Sequence, residues 1–174
     1  MEKNKREVPQ MAFSIEIKNE EDTMFLGEKL GELAAPNDVI LLEGDLGAGK
    51  TTFTKGIARG LGIEQIIKSP TYTLIREYTK GRIPLYHLDV YRLEEAGGEE
   101  LGLEEYFYGD GVSVIEWSKF IKEELPKEFL QIEISRSGEF SRERTFKMSA
   151  EGNHYEKLLH EWKRKWEERK IYEN

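Results

Sequence analysis

The feature that most constrains this chain is the glycine-rich stretch at residues 44–51, Gly-Asp-Leu-Gly-Ala-Gly-Lys-Thr. It matches in full the phosphate-binding pattern G-x-x-x-x-G-K-[ST]. A short aliphatic run at residues 39–43 precedes it, and apolar residues at helical spacing follow it. That order of strand, glycine-rich turn and helix is the context the motif requires, so the sequence predicts a loop that binds the phosphates of a nucleotide.

The residues of this loop have distinct chemical roles. Glycine allows the backbone to turn so that successive N–H groups point at phosphate oxygens, and the following helix adds the positive end of its dipole. Lys50 brings a positive charge to the β and γ phosphates, and Thr51 offers a hydroxyl to Mg²⁺. The Asn-Lys-x-Asp signature that reads guanine is absent from the sequence, so we predict ATP and Mg²⁺ as the cofactors.

Two acidic residues end predicted strands close to this loop. Asp89 follows the stretch at residues 83–88, and Glu116 follows the stretch at residues 112–115. Ligands bind where the carboxyl ends of parallel strands meet, and a phosphate-binding loop of this kind works with a carboxylate that holds Mg²⁺. We therefore predict that Asp89 and Glu116 hold the metal, directly or through water; the alternative is a pair of solvated acids at strand ends.

Other residues near these motifs have both a functional and a structural interpretation. Ser69-Pro70-Thr71 is either a segment that senses the γ-phosphate or a simple turn. His87 shares a strand face with Asp89, so it either positions that acid or a water molecule, or is a histidine packed within the sheet; the two interpretations have equal support. In Tyr91-Arg92, the arginine either steadies phosphate charge or forms a surface salt bridge. Trp117 is interpreted, from its position alone, as a core aromatic at a strand end.

Composition narrows the function further. The 26 Lys and Arg against 34 Asp and Glu give a net charge of −8, so we expect no direct grip on the phosphate backbone of DNA or RNA. Cysteine is absent and only three His are present, which excludes thiol chemistry and argues against a His-built metal site. The sequence has no apolar run of membrane length and no signal-peptide pattern at its start, so we expect a cytoplasmic protein.

Alternating strand and helix patterns predict an α/β fold of three layers, with helices on both faces of a mostly parallel central sheet, as in P-loop nucleotide-binding proteins. One antiparallel hairpin is expected, from strands at residues 72–78 and 83–89. Residues 1–11 are expected to form a flexible tail, and residues 12–174 a single domain that ends in an amphipathic helix. Further strands are predicted at residues 13–17, 39–43, 112–116, 130–134 and 145–148, and helices begin near residues 19, 50, 101 and 154.

Four blocks of the sequence resemble one known family. They are residues 44–52, 69–74 (Ser-Pro-Thr-Tyr-Thr-Leu), 87–93 (His-Leu-Asp-Val-Tyr-Arg-Leu) and 115–118 (Ile-Glu-Trp-Ser). In this order and spacing they are similar to the bacterial TsaE family. The resemblance extends from about residue 15 to about residue 150, so it covers most of the chain.

The resemblance implies an Mg²⁺-dependent ATPase of the machinery that makes N6-threonylcarbamoyladenosine at adenosine 37 of tRNA. In that family the protein works with a TsaB–TsaD complex, while TsaC makes the threonylcarbamoyl-adenylate donor. ATP binding favours assembly with TsaB–TsaD, and hydrolysis resets the complex. The implied contact with tRNA is therefore indirect, which agrees with the acidic balance of this chain.

The resemblance also implies roles for individual residues. Thr51 and Glu116 are expected on Mg²⁺, with Asp89 close to the metal and water, and Lys50 acts with both acids in catalysis. Trp117 is expected near the nucleotide, which replaces the interpretation as a core aromatic. The residues expected to bind the nucleotide are Glu20, Asp45, Leu46, Gly47, Ala48, Gly49, Lys50, Thr51, Thr52, Trp117 and Arg144, and the expected switch-like group is Ser69, Pro70, Thr71, His87, Tyr91 and Arg92.

Two other functions remain open at this point. A small-molecule or nucleotide kinase also has a phosphate-binding loop, and it usually needs several arginines in a lid; Arg136, Arg142 and Arg144 form the one such cluster in the sequence. A nucleotide-gated adaptor that binds ATP without hydrolysing it would need Lys50 but neither Asp89 nor Glu116.

Overall fold

The computed structural model describes residues 11–45, 47–70, 74–91 and 102–172. Of the predicted tail, residues 1–10 lie outside this part of the chain, and Met11 already belongs to the first strand. The strands are β1 (Met11–Ile17), β2 (Val39–Gly44), β3 (Ile75–Tyr78), β4 (Leu85–Asp89), β5 (Val112–Glu116), β6 (Phe129–Arg136) and β7 (Arg144–Glu151). The helices are α1 (Glu20–Leu33), α2 (Lys50–Gly60), α3 (Leu103–Phe107) and α4 (Asn153–Tyr172), with a 3-10 turn at Ser118–Ile121.

The strands form one mixed sheet in the order β1-β7-β6-β2-β5-β4-β3. The four central strands, β6, β2, β5 and β4, are parallel to one another. The α/β class is confirmed, and so is the antiparallel hairpin of β3 and β4. The sheet has more antiparallel pairing than that one hairpin, since β7 pairs antiparallel with both β6 and β1.

Helices cover both faces of the sheet, as predicted. One face packs against α1, α2 and α4 through a large apolar cluster that includes Leu30, Phe53 and Trp162. The other face is covered by α3 and the 3-10 turn through a smaller cluster that includes Phe107 and Ile121. Among the described residues, no helix is long and apolar enough to span a bilayer.

Helix α1 begins where the sequence predicts. The side chain of Asn19 accepts a hydrogen bond from the backbone N–H of Asp22, at 2.9 Å, and three acidic residues occupy the first turn. The side chain thus satisfies one of the free N–H groups of the first turn, and the acids oppose the positive end of the helix dipole. The cap therefore fixes the start of α1 at one residue.

Helices α1 and α2 pack with their backbones in direct contact. Gly27 and Gly31 on α1 face Gly56 and Gly60 on α2, and a methyl group on any of the four would overlap a backbone carbonyl oxygen of the other helix. Small residues four apart allow this close approach, because no side chain separates the two helices. This contact was not predicted from the sequence.

Helix α4 is fastened to the sheet and to α1 by two aromatic side chains. The indole N–H of Trp162 donates to the carbonyl oxygen of Leu26 at 2.8 Å, in the buried interior. The hydroxyl of Tyr155 accepts a hydrogen bond from the backbone N–H of Val39 at 2.9 Å, at the start of β2. The strand that leads to the glycine-rich loop therefore depends on α4 for a backbone partner.

We expect Tyr155→Phe to destabilise the protein by about 1–3 kcal/mol, because the buried N–H of Val39 loses its acceptor. Urea unfolding at pH 8 measures this change in the free energy of unfolding. A variant as stable as the wild type would mean that the bond adds nothing.

The same variant has a characteristic pH dependence. Burial raises the pKa of Tyr155 from 10.0 to about 12, so between those values the hydroxyl ionises in the unfolded chain but not in the folded one. The wild type therefore loses stability as the pH rises from 10 to 12, and the phenylalanine variant lacks this contribution. The difference in free energy of unfolding between the wild type and Tyr155→Phe should therefore shrink from pH 10 to pH 12. A constant difference would contradict the raised pKa of Tyr155.

Candidate functional site

A cleft of about 1130 Å³ opens at the carboxyl end of β2, where β4 and β5 also end. The glycine-rich loop and the start of α2 form its floor, and the first turn of α1 forms one wall. Its lining is Asn19, Glu20, Glu21, Thr23, Gly47, Gly49, Lys50, Thr51, Thr52, Ser69, Asp89, Tyr91, Glu116, Trp117, Arg136, Arg142 and Arg144. Residues far apart in sequence, drawn from all four motif blocks, therefore meet in one cavity.

The loop backbone has a conformation that requires glycine. Gly47 has φ 78° and Gly49 has φ 109°, values that residues with a Cβ rarely adopt. The N–H of Ala48 turns back to the carbonyl oxygen of Asp45 at 3.0 Å. Lys50 then begins α2, so its N–H and those of Thr51 and Thr52 belong to the free first turn of a helix. A backbone with this geometry is suited to bind phosphate.

Two arginines fix the orientation of the loop from the far side of β2. The guanidinium of Arg136 donates to the carbonyl oxygen of Gly47 through Nε at 3.2 Å and Nη2 at 2.8 Å. Arg144 donates from Nε to the carbonyl oxygen of Ala48 at 2.9 Å. The two arginines are cross-strand partners in β6 and β7. The hairpin of those strands therefore holds two peptide groups of the loop in place.

Two carboxylates enter the cleft from the other side. Asp89 and Glu116 are register partners at the ends of β4 and β5, and each is only 6% exposed. One carboxylate oxygen of Glu116 lies 3.3 Å from Nζ of Lys50, and the other lies 2.6 Å from Nε2 of His87. Asp89 accepts a hydrogen bond from the backbone N–H of Tyr91 at 3.1 Å.

Glu116 is ionised in this setting. Burial alone would raise its pKa, but the hydrogen bond and charge of His87 and the ammonium of Lys50 outweigh burial and hold the pKa below its usual value. A charged carboxylate beside a lysine and an open cleft is suited to accept a cation once the lysine turns to another anion.

The donor set fits Mg²⁺. Carboxylates of Asp89 and Glu116 and the hydroxyl of Thr51 all line the cleft next to the loop. Mg²⁺ favours oxygen ligands and is usually bound by one or two carboxylates together with substrate phosphates. In the described part of the chain, no group of three or more acidic or histidine side chains is arranged to hold a metal ion.

Aromatic side chains form the wall beside Lys50. The ammonium of Lys50 lies 4.9 Å from the ring centroid of Trp117, and the ring of Tyr91 meets Trp117 edge-on at 5.0 Å. Trp117 has a left-handed backbone, φ 63°, and Glu43 stabilises the turn that follows by accepting hydrogen bonds from the N–H and hydroxyl of Ser118. Trp117 is thus half-buried in the cleft wall, not enclosed in the core.

The structure brings most of the predicted site residues together and leaves some away from the cleft surface. Those that line it are Glu20, Gly47, Gly49, Lys50, Thr51, Thr52, Ser69, Asp89, Tyr91, Glu116, Trp117 and Arg144. Asp45 is exposed outside the cleft lining, while Ala48, Pro70 and His87 are buried and do not line it. Leu46, Thr71 and Arg92 lie outside the residues that the structure describes.

Sequence reasoning missed the contact between Arg136 and the glycine-rich loop. From the sequence, Arg136 is assigned only to the arginine cluster that a kinase would need. The signal was present in the alternating apolar residues of β6 and β7 around a Ser-Gly turn, which predict a hairpin that pairs Arg136 with Arg144. Burial and the charge of Arg136 lower the pKa of Arg144, while the charge of Glu20 opposes the shift.

Comparisons with known proteins place the chain in one family. The family model "Threonylcarbamoyl adenosine biosynthesis protein TsaE" matches residues 17–146. A protein of Bacillus subtilis described as "tRNA threonylcarbamoyladenosine biosynthesis protein TsaE" is 55% identical over 84% of this chain and 90% of its own length. A protein of the same description from Nostoc is 47% identical over 73% of this chain and 80% of its own.

A solved structure is also similar. The crystal structure of YdiB from Bacillus subtilis superimposes with a TM-score of 0.78, at 47% identity, over 88% of this chain and 95% of that one. The similarity therefore extends over most of the fold as well as the motifs, and the sequence match of the family covers every motif that lines the cleft.

Proposed function

Since the chain belongs to the TsaE family of threonylcarbamoyl adenosine biosynthesis proteins, we propose that it is a Mg²⁺-dependent ATPase that acts in the threonylcarbamoyladenosine modification of tRNA. The observation that carries the ATPase proposal is the meeting of Lys50, at the end of the glycine-rich loop, with Asp89 and Glu116 in one cleft. The relatives' names support the pathway.

The chain's own groups divide the work of binding and hydrolysis. Backbone N–H groups of the loop and the first turn of α2 bind the phosphates, and the helix dipole favours their negative charge. Lys50 binds the terminal phosphates, where charge is greatest. Thr51, Glu116 and Asp89 would hold Mg²⁺, which would neutralise phosphate charge when bound. The carboxylate not used by the metal orients water near the γ-phosphate.

Nucleotide binding must rearrange the contacts of Lys50. In the structure its ammonium is paired with Glu116 and lies near Trp117. Phosphate oxygens compete for the same ammonium, and their success frees one oxygen of Glu116 for the metal. Binding of the triphosphate and preparation of the metal site are then one event.

We propose that the partner is a TsaB–TsaD complex, that contact with tRNA is indirect, and that the protein acts in the cytoplasm. The net charge of −8 opposes direct binding to tRNA and imposes no such penalty on a protein partner. Measured alone, the chain should hydrolyse ATP slowly; with TsaB–TsaD and tRNA, turnover should change and modification should depend on ATP. Equal and fast turnover in both conditions would contradict the coupling.

We expect Lys50→Ala to weaken ATP binding by roughly 10–100-fold. The variant loses a charge-assisted contact worth about 1.5–3 kcal/mol. Calorimetric titration with ATP, in the presence of Mg²⁺, measures the dissociation constant.

Lys55→Ala is the matched control, because Lys55 carries the same charge on the same helix but is exposed. Its affinity should stay within about twofold of the wild type. Equal ATP affinities of the wild type and Lys50→Ala would show that the loop does not bind the triphosphate.

A kinase remains a second candidate because Arg136, Arg142 and Arg144 line the same cleft, and arginines over the phosphates serve phosphoryl transfer as well as hydrolysis. A screen with γ-labelled ATP and small metabolites separates the two, since a kinase yields a labelled acceptor and an ATPase yields only phosphate.

A non-catalytic adaptor would retain its cellular function with Asp89→Asn and lose it with Lys50→Ala.

A further inference from the structure

His87 is a buried polar residue that the proposed function does not yet use. Its side chain is fully buried, and its Nε2 lies 2.6 Å from one oxygen of Glu116. Its Nδ1 has no hydrogen-bond partner within the described residues. Among the described residues, the ring therefore makes its polar contact with the carboxylate of Glu116.

The direction of this hydrogen bond follows from the state of its partner. A carboxylate in its ordinary ionised state has only acceptor sites, so the 2.6 Å contact assigns the donor role to Nε2 of His87. A bond of this length to a charged acceptor is of the strong, charge-assisted type. It fixes one oxygen of Glu116 and leaves the other facing Lys50.

The two contacts of Glu116 differ in what nucleotide binding does to them. The Lys50 contact reaches from the phosphate-binding loop and must give way when phosphates bind the ammonium. The His87 contact lies within the sheet, between β4 and β5, and His87 is fully buried and does not line the cleft. Once Lys50 has moved to the phosphates, the hydrogen bond from His87 still fixes the orientation of the Glu116 carboxylate.

We propose that His87 is a positioning residue that holds the Glu116 carboxylate in place for the metal of a bound nucleotide. This inference rests on the proposed function and adds to it a residue that does not touch nucleotide or metal. Groups that hydrogen-bond to metal ligands commonly contribute about 10–100-fold to metal affinity or activity. His87 should therefore act on metal binding and on kcat, and leave the affinity for metal-free nucleotide unchanged.

The test compares His87→Leu and His87→Gln with the wild type, with ADP and Mn²⁺ as the probes. Calorimetry measures ADP affinity without metal, and electron paramagnetic resonance measures Mn²⁺ bound to the ADP complex. We expect His87→Leu to weaken Mn²⁺ binding by roughly 10–100-fold and to leave metal-free ADP affinity within about twofold. The amide N–H of glutamine can replace the ring N–H, so His87→Gln should recover most of the loss.

A matched control variant distinguishes a loss of Mn²⁺ binding from a general loss of stability. Ser113→Ala changes another fully buried polar side chain of the same sheet, whose hydroxyl contacts the carbonyl oxygen of Tyr106 outside the cleft. It should lower the unfolding temperature without altering Mn²⁺ affinity. Thermal unfolding of all three variants with and without ADP shows whether each is folded under the conditions of the binding assays.

The outcomes distinguish this inference from the function on which it rests. If the wild type binds ADP and Mn²⁺ and His87→Leu binds Mn²⁺ equally well, His87 is only a packing residue and the inference is overturned. It is also overturned if His87→Leu weakens metal-free ADP binding as much as Mn²⁺ binding. If the wild type binds no ADP, the proposed function itself is wrong and the inference falls with it.

Discussion

Glu116→Gln should lower the kcat of ATP hydrolysis by about 10²–10³-fold, or roughly 3–4 kcal/mol of transition-state stabilisation. Glutamine keeps the size of the side chain and an oxygen that accepts the hydrogen bond from His87. It loses the negative charge that pairs with Lys50 at 3.3 Å and that would bind the metal. The defect should therefore lie in the metal-dependent step.

Binding of metal-free ATP should respond in the opposite direction. In the wild type, Lys50 must leave Glu116 before it binds phosphate, whereas in Glu116→Gln the ammonium has no carboxylate to leave. Metal-free ATP should bind at least as tightly to the variant as to the wild type. A steady-state phosphate-release assay and calorimetry without Mg²⁺ measure the two effects.

Glu133→Gln is the matched control, since Glu133 is an exposed acid on β6 away from the cleft lining. Its kcat should equal that of the wild type. Hydrolysis by Glu116→Gln at the wild-type rate would exclude Glu116 from the chemistry, and a joint loss of kcat and metal-free ATP affinity would point to a collapsed cleft instead.

Gly60→Ala and Gly31→Ala should each destabilise the protein by at least about 3 kcal/mol. Alanine is the better helix former by about 1 kcal/mol, so helix propensity alone predicts stabilisation. In this structure the added methyl of either variant would overlap a backbone carbonyl oxygen, of Glu28 or of Ile57. A rigid backbone cannot yield as a side chain can, so the helices must separate.

Urea unfolding followed by far-ultraviolet circular dichroism measures these changes. Gly138→Ala is the control, because a methyl there meets only ordinary contact with Ser141; its stability should change by less than about 0.5 kcal/mol. Stabilisation of either helix variant would mean that α1 and α2 are further apart than described.

The local pattern of the sequence was enough to predict most elements and the floor of the site. The short apolar runs that form β2 and β5 and the full phosphate-loop motif leave few alternatives. The acids at 89 and 116 follow from strand ends meeting at one edge of the sheet. The cap at Asn19 is equally local, since one side chain and one N–H decide it.

Features that depend on contacts between distant segments could not be predicted in this way. A glycine inside a helix indicates a small volume but not which backbone approaches it, so the Gly31–Ile57 contact needs the packed pair. The pairing of β7 with both β6 and β1 is likewise not set by local sequence, because several strand edges could accept β7 as a neighbour. The bond from Arg136 to Gly47 joins residues 89 positions apart.

The backbone contact between α1 and α2 has a consequence for how the cleft can adapt to a ligand. Side chains that separate two helices can switch rotamers and let the helices slide, but Gly27, Gly31, Gly56 and Gly60 offer no such layer. The wall at the start of α1 and the floor at the start of α2 must then shift as one stiff block. Adjustment of the cleft to a ligand is then left to the wall formed by Trp117 and Tyr91, where side chains and not backbones are in contact.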